Sequence, residues 1–468
     1  MLTYKKQLSS IPEEEQFHTL TYGSRYASQA IPKYSIPEEK MPPNLAYQVI
    51  HDELALDGTA SLNLASFVTT WMDEEAHRLL NETLNKNYID QNEYPQTTEL
   101  HNRCVNMLAR LYHSPEHEIA VGTATVGSSE AIHLAGLAMK WDWRKRRQAQ
   151  GKTADKPNIV MGQNVQVCWE KFARYFEVDP RMVPLTHDRF VLGVEEALQC
   201  VDENTIAVVG ILGSTYTGEY EPIAELNNQL EILNKKTGWD IPIHVDAASG
   251  GFVAPFISPE LIWDFRLSLV QSINVSGHKY GLVYPGVGWV IWRDKSALPE
   301  ELIFHVNYLG SDQPTFNLNF SKGAAQILGQ YYNFLRLGKA GYRQIMLALQ
   351  NTANWLTNEI EKTEKFNILS KTNHLPVVTF SLQDTTRYTV FDISEKLRER
   401  GWIVPAYTLA PNANDIAVLR IVVRENLSHD MANLFIADLQ RALEYFEKHG
   451  KMKGVENKRK LSVNQGVC

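Results

Sequence analysis

Cysteine is scarce in this chain of 468 residues, and long apolar runs are missing. The four cysteines, Cys104, Cys168, Cys200 and Cys468, are scattered and form no Cys-x-x-Cys pair. A disulfide scaffold and a thiolate metal site are thereby excluded, so reduced thiols, no bound metal and a cytoplasmic setting are expected. No apolar run reaches the roughly 18 residues that a spanning helix needs, so no stable membrane insertion is expected. Residues 1–16 hold two lysines but no apolar stretch, unlike a secretory signal. An excess of positive charge is missing as well. Lys and Arg number 46 against 54 Asp and Glu, a net charge of −8, which argues against a nucleic-acid surface. Internal repeats and low-complexity tracts are absent.

What is present suits an ordinary globular protein, with 44% hydrophobic and 21% charged residues. The length exceeds what one core usually organises, so two domains and an arm are expected. Residues 1–60 are rich in Pro and Glu and read as an N-terminal arm, with a helix starting near residue 44. Residues 61–348 form a large domain in which short apolar strands alternate with amphipathic helices. Strands are predicted at 158–161, 206–212, 241–245, 269–275 and 288–292, and a helix at 223–236. That alternation implies an α/β fold with a mainly parallel central sheet and function in the loops at strand ends. A long helix over about 322–363 leads into a smaller C-terminal α+β domain, 349–450. There, strands are predicted at 376–382, 402–408 and 416–423, and helices at 390–400 and 430–449. Residues 451–468 form a basic tail without periodicity, read as a solvated, flexible segment.

Two residues carry the main chemical signal. Asp246 ends an apolar run, His244-Val245-Asp246-Ala247-Ala248-Ser249-Gly250-Gly251, and Lys279 closes Ser276-Gly277-His278-Lys279, 33 positions later. A lysine amine can form a Schiff base with an aldehyde, and a buried carboxylate can keep a pyridine nitrogen protonated so that the ring accepts electrons. The pair predicts an enzyme that uses pyridoxal 5′-phosphate. Upstream, Gly127-Ser128-Ser129-Glu130 precedes an almost wholly apolar stretch. Small and hydroxyl residues at the start of a buried helix offer N–H and O–H donors to a phosphate, or simply cap the helix. At the far end of that helix, Arg144-Lys145-Arg146-Arg147 reads as a solvated run favoured by the helix dipole. Arg420 lies on a predicted strand and shares a face with Ile416, Val418 and Val422. A guanidinium among valines needs an anion, either a substrate carboxylate or a protein acid. Arg424, at the end of that run, is expected in solvent.

These segments resemble the pyridoxal-phosphate-dependent group II decarboxylases, of the aspartate aminotransferase fold (fold type I). Val165-Gln166-Val167-Cys168-Trp169, Asn85-Lys86-Asn87-Tyr88-Ile89-Asp90, Trp289-Val290-Ile291-Trp292 and Asn319-Phe320-Ser321 sharpen the likeness, which is greatest to the glutamate decarboxylases and runs from about residue 45 to 450. The resemblance implies the α-decarboxylation of L-glutamate to γ-aminobutyrate and CO2, with one proton consumed. A decarboxylase of another acidic amino acid, aspartate or cysteine sulfinate, is the alternative. The resemblance also implies residue roles. Lys279, Asp246 and His278 would be catalytic. Ser128, Ser129, Ser276 and His278 would bind phosphate, joined by Ser321 of the neighbouring subunit. Ala248 would pack beneath the ring and Gln166, read as a strand residue, would cover it, while Thr215 would bond to its hydroxyl side. Ser66, Phe67 and Asp90 would surround the distal carboxylate, and Arg420 would take the α-carboxylate. Two carboxylates a few ångström apart cannot both stay ionised cheaply, so a proton shared between Asp90 and substrate is expected, unless Asp90 merely caps a loop. A site completed by a neighbour implies a homodimer at least, and possibly a hexamer.

Some relatives in this family carry a histidine near the C-terminus or a calmodulin-binding helix with a tryptophan. Here His449 is the last histidine and the basic tail has no Trp, so neither device is expected. Glu170 follows Trp169, where some bacterial members have histidine.

Overall fold

Uncharged runs of β-branched and small apolar residues build the central layer. The computed structural model describes residues 33–115, 120–307 and 313–450. Its main sheet has seven strands: β1 (Val121–Thr125), β2 (Asn158–Gly162), β3 (Asp179–Val183), β4 (Thr205–Ile211), β5 (Ile243–Asp246), β6 (Val270–Val275) and β7 (Gly288–Trp292). Their order is β1-β7-β6-β5-β4-β2-β3. The pairs β3/β2, β2/β4, β4/β5 and β5/β6 are parallel, and β7 runs antiparallel to both β6 and β1. Every residue of β2, β4, β5 and β7 is buried, as a sheet covered on both faces requires. Because β1 and β6 both oppose β7, the chain leaves β1, β2, β4, β5 and β6 at one edge. Asp246 ends β5, and Ser128, Gln166, Thr215 and Lys279 follow the ends of β1, β2, β4 and β6, where open α/β sheets bind ligands.

The helices are α1 (Pro43–Leu54), α2 (Glu74–Thr83), α3 (Pro95–Leu111), α4 (Ser128–Ala149), α5 (Val167–Tyr175), α6 (Val194–Cys200), α7 (Ile223–Thr237), α8 (Ala254–Ile257), α9 (Ala325–Glu361), α10 (Val390–Arg398) and α11 (His429–His449). By its contacts the chain divides into Met1–Thr59, which holds α1, and Ala60–Cys468, which holds both larger sheets. Strands β8 (Phe304–Val306) and β9 (Gln313–Thr315) pair antiparallel. Strands β10 (Phe366–Ile368), β11 (Val377–Leu382), β12 (Ala406–Thr408) and β13 (Ala417–Val422) form an antiparallel sheet ordered β10-β11-β13-β12. Thr389 starts α10 through a reciprocal capping box with Asp392, and Ser428 caps α11.

Several expectations needed correction. The helix expected over 322–363 is interrupted at Gly338, whose φ of 55° and ψ of −173° no helix accommodates. The strand expected at 402–408 is only Ala406–Thr408, and β1, β3 and β10 were not foreseen. Arg146 and Arg147 are not a solvated run. Arg146 pairs with Asp142 and donates to Trp239 O at 2.9 Å, and Arg147 Nε donates to Thr153 O at 2.9 Å. Arg424 is 2% exposed rather than solvated. Its guanidinium donates to Val68 O, Asn63 O, Ala60 O and Thr70 Oγ1, and so ties the segment before α2 to the end of β13. The expected tail, 451–468, and residues 1–32 of the arm lie outside the described residues.

Candidate active site

Parallel register builds the acidic pole. It sets His244 opposite Ser272 and Asp246 opposite Asn274 on neighbouring strands β5 and β6. His244 Nδ1 lies 2.7 Å from Ser272 Oγ, and its Nε2 lies 2.7 Å from Asn274 Oδ1. Asn274 Nδ2 then donates to Asp246 Oδ1 at 3.0 Å, and Ala248 N donates to the same oxygen at 3.1 Å. The indole Nε1 of Trp169 donates to Asp246 Oδ2 at 2.9 Å. Burial pushes the His244 imidazole down to about 4, so it stays neutral and passes its Nε2 proton toward the amide. His244, Asn274 and Trp169 were not foreseen as site residues. Ser272 and Asn274 alternate with Ile273 on β6, but nothing local in the sequence links them, or Trp169, to Asp246.

Lys279 stands across from this pole on the loop between β6 and β7. Its amine lies 3.4 Å from Ser249 Oγ, and burial lowers its pKa while Asp246 acts in the opposite sense. A less basic amine is a better nucleophile near neutrality. The loop is rigid. Thr69 Oγ1 donates to Lys279 O at 2.6 Å, and Thr69 N donates to His278 O at 2.9 Å. Leu282 holds a left-handed φ of 62°, costly for a leucine, and Asn333 Nδ2 fixes its carbonyl at 2.6 Å. The carbonyl of Gly281 accepts from Tyr342 Oη at 2.9 Å and Gln330 Nε2 at 3.2 Å.

A second pole forms where α4 begins. Ser128 Oγ lies 2.7 Å from Ser276 Oγ, which joins the start of α4 to the lysine loop. A Cβ at Gly127 would stand 3.1 Å from His278 Cε1, and one at Gly288 would stand 2.5 Å from the Gly127 carbonyl carbon. Only glycine lets these three segments converge. His278 Nδ1 is buried without a partner among the described residues, and burial pushes the ring down to about 4. Glu130 turns away, accepting from Val126 N and Asn319 N at 2.8 and 3.1 Å. Ser129 is exposed beside the pole.

The third group faces the lysine from the smaller sheet. Arg420 is buried on β13, and its Nη1 and Nη2 donate to Thr215 O at 2.6 Å and Ala65 O at 2.7 Å. Its Nε has no partner, and no acid pairs with it among the described residues, so the protein-acid alternative is not what the structure shows. The Phe67 ring lies 4.9 Å from the guanidinium carbon and 5.5 Å from Lys279 Nζ. Ser66 Oγ accepts from Val68 N at 3.1 Å.

Other expected residues differ in setting or form a separate cluster. Gln166 is exposed and not on a strand, because β2 ends at Gly162 and Gln166 is the residue that precedes α5. Asp90 accepts from Asn87 Nδ2 at 3.3 Å, and the same amide reaches Ser321 Oγ at 3.5 Å. Asp90 and Ser321 thus form one cluster through Asn87, while Ser66 and Phe67 sit with Arg420 and Lys279.

A lysine and a carboxylate at adjacent strand ends, with a hydroxyl-lined helix start beside them, define an enzyme of the pyridoxal-phosphate class with fold type I architecture. Comparison with known proteins narrows the class. The pyridoxal-dependent decarboxylase conserved domain matches residues 37–383. A glutamate decarboxylase of Solanum lycopersicum is 58% identical over 437 residues, 93% of this chain and 87% of that protein. One of Aliivibrio fischeri is 50% identical over 448 residues, 95% and 96% of the two chains. The solved glutamate decarboxylase of Lactobacillus brevis CGMCC 1306 superposes with a TM-score of 0.88 at 47% identity, over 91% of this chain and 98% of that one. The chain belongs to the pyridoxal-dependent decarboxylases, on their glutamate decarboxylase branch. Its cofactor is pyridoxal 5′-phosphate, and the residues present fit it. The unpartnered His278 Nδ1 and the paired serine hydroxyls suit a phosphate, and the buried Asp246 suits a pyridinium nitrogen.

Proposed function

We propose that this chain removes the α-carboxyl group of L-glutamate as CO2 and returns a proton to Cα, giving γ-aminobutyrate. One observation carries the reading: a buried guanidinium without an acid of its own shares the Phe67 ring with the lysine amine. The bound pyridoxal phosphate supplies a cationic ring that accepts the electron pair left behind by the carboxyl group. Asp246 holds the proton on the ring nitrogen, and Ser128, Ser129, Ser276 and His278 bind the phosphate. Ala248 and Gln166 would cover the cofactor ring, and Thr215 would bond near its hydroxyl. Arg420 binds the α-carboxylate through its unpartnered Nε–H, and fixing that group selects which bond at Cα breaks. Lys279, whose amine faces the same Phe67 ring as Arg420, delivers the proton to Cα.

Ser66 and Phe67 meet the distal carboxylate. The cluster of Asp90 and Ser321 is proposed to complete the neighbouring subunit's site, which makes the working unit a homodimer at least. The division into large and small domains at residue 348 and a cytoplasmic setting are part of the proposal. The latter draws on the free thiols among the described residues, Cys104, Cys168 and Cys200.

The deciding assay is γ-aminobutyrate formation from glutamate between about pH 4 and 8, with and without added pyridoxal phosphate. Faster CO2 release from aspartate or cysteine sulfinate at matched pH would overturn the substrate. Arg420→Gln should lower kcat/KM about a thousand-fold, roughly 4 kcal/mol, because it removes a buried charge from a desolvated carboxylate. Arg420→Lys should recover only a small part, since an ammonium lacks the planar fork. In the wild type, KM for glutamate should rise with pH as the proton shared with Asp90 is lost. Asp90→Asn should flatten that rise, and an unchanged profile would remove the shared proton from the account.

A further inference from the structure

The geometry points to a second binding site, for a small amphiphilic monocarboxylate, in the cavity between α3, α8 and the break in α9. The cavity has a volume of about 400 Å3, within the usual range for small-molecule pockets. Its walls are Met107, Leu108, Leu111, Phe256, Phe334 and Tyr342. The break makes room for it. Gly338 departs from the helix, and a Cβ there would meet nothing within 4 Å, so its backbone conformation and not crowding demands glycine. The single hydroxyl in the wall, Tyr342 Oη, is committed to Gly281 O and Gln330. Asn106, Arg110 and Lys339 also border the cavity, with Asn106 exposed at its rim, so polar groups gather at the edge and the apolar walls suit a ligand whose body is apolar.

Charge sits at one end only. A smaller cavity of about 300 Å3 adjoins the first and shares Arg110, Leu111, Phe256 and Lys339 with it. Arg343, Arg266 and Asp264 line the smaller one. Asp264 is already held by Arg266 and by His113, at 2.8 Å each. Lys339 and Arg343 have no acidic partner among the described residues. An apolar hole edged by uncompensated cations selects a hydrocarbon or aryl body with one anionic head. A neutral or cationic amphiphile of the same length would gain burial but not the charge interaction. The wall also touches the active-site loop, since Gly281 lies two residues beyond Lys279 and Tyr342 holds its carbonyl.

The test is calorimetric titration of octanoate, octanol and octylammonium into the pyridoxal-phosphate-loaded enzyme. Octanoate should bind once per chain and at least about ten-fold tighter than octanol, with no detectable binding of octylammonium. Met107→Trp places an indole in the wall from a half-exposed position and should weaken octanoate at least about ten-fold. The double variant Lys339→Glu/Arg343→Glu should bring octanoate down to octanol, with an unchanged melting temperature showing that the fold is intact. Absent binding, equal affinity for octanoate and octanol, or Met107→Trp without effect would each overturn the site. None of these readouts depends on glutamate turnover, so the site stands or falls apart from the proposed reaction.

Discussion

Lys279→Ala should purify without the visible absorption of the wild-type enzyme and turn over glutamate at least about 10⁴-fold more slowly. The substitution is clean because the loop does not depend on the side chain. Thr69 holds two successive backbone carbonyls, His278 O and Lys279 O, and Asn333 holds that of Leu282. What disappears is one buried, less basic amine 3.4 Å from Ser249. Borohydride reduction and mass mapping should find a pyridoxyl group on Lys279 of the wild type and on no residue of the variant. The rival amine is Lys322, buried and pushed down to about 8 by that burial. It donates to Ala124 O and lies 4.7 Å from the Tyr88 ring centre, so it is already engaged. Lys322→Ala should therefore keep the adduct on Lys279. A visible band and turnover that survive in Lys279→Ala would move the chemistry elsewhere.

What could be read from residues alone follows a physical line. Strand β7 matched its expected limits, 288–292, because an apolar run between glycine and charge has one register in which to be buried. Strand β3 escaped because an edge strand can carry Asp179, Pro180 and Arg181, the residue types that argue against a strand. Asp246 and Arg420 were legible since each is a charge in an apolar run, which is costly without a purpose, and Lys279 by its place after Ser276-Gly277-His278 downstream of Asp246. Arg424 shows the limit of that logic. It too is a buried guanidinium, but three backbone carbonyls and a hydroxyl, 354 to 364 positions away, satisfy it, and nothing local in the chain foretells them. Gln166 was misplaced because Val165-Gln166-Val167 alternates like a strand, while the amphipathic run that follows starts a helix. Support for Asp246 was hidden for the same reason as for Arg424. Asn274 and Trp169 reach it through sheet register and helix packing, not through neighbourhood in sequence.

That support makes Asp246→Asn the second large effect, with a direction that can be derived. Asp246 Oδ1 accepts two donors, Asn274 Nδ2 and Ala248 N, while Oδ2 accepts the Trp169 indole N–H. An asparagine must place its amide N–H2 at one of these oxygens. At Oδ1 it would face two donors, and at Oδ2 only one, so the amide nitrogen should take the Oδ2 side. From there it can only donate toward the ring, which favours the unprotonated pyridine nitrogen and removes the positive charge from the electron acceptor. His244 cannot compensate, because burial keeps it neutral and its Nε2 proton is already directed at Asn274. Turnover should fall about a thousand-fold, roughly 4 kcal/mol in the barrier, while borohydride still fixes the cofactor to Lys279. That split separates the variant from Lys279→Ala, which loses both. Trp169→Phe removes a single donor to the carboxylate and leaves its charge in place, so its loss in kcat should be far smaller. If Asp246→Asn kept activity within about ten-fold, a ring-nitrogen proton would not be what drives the departure of the carboxyl group.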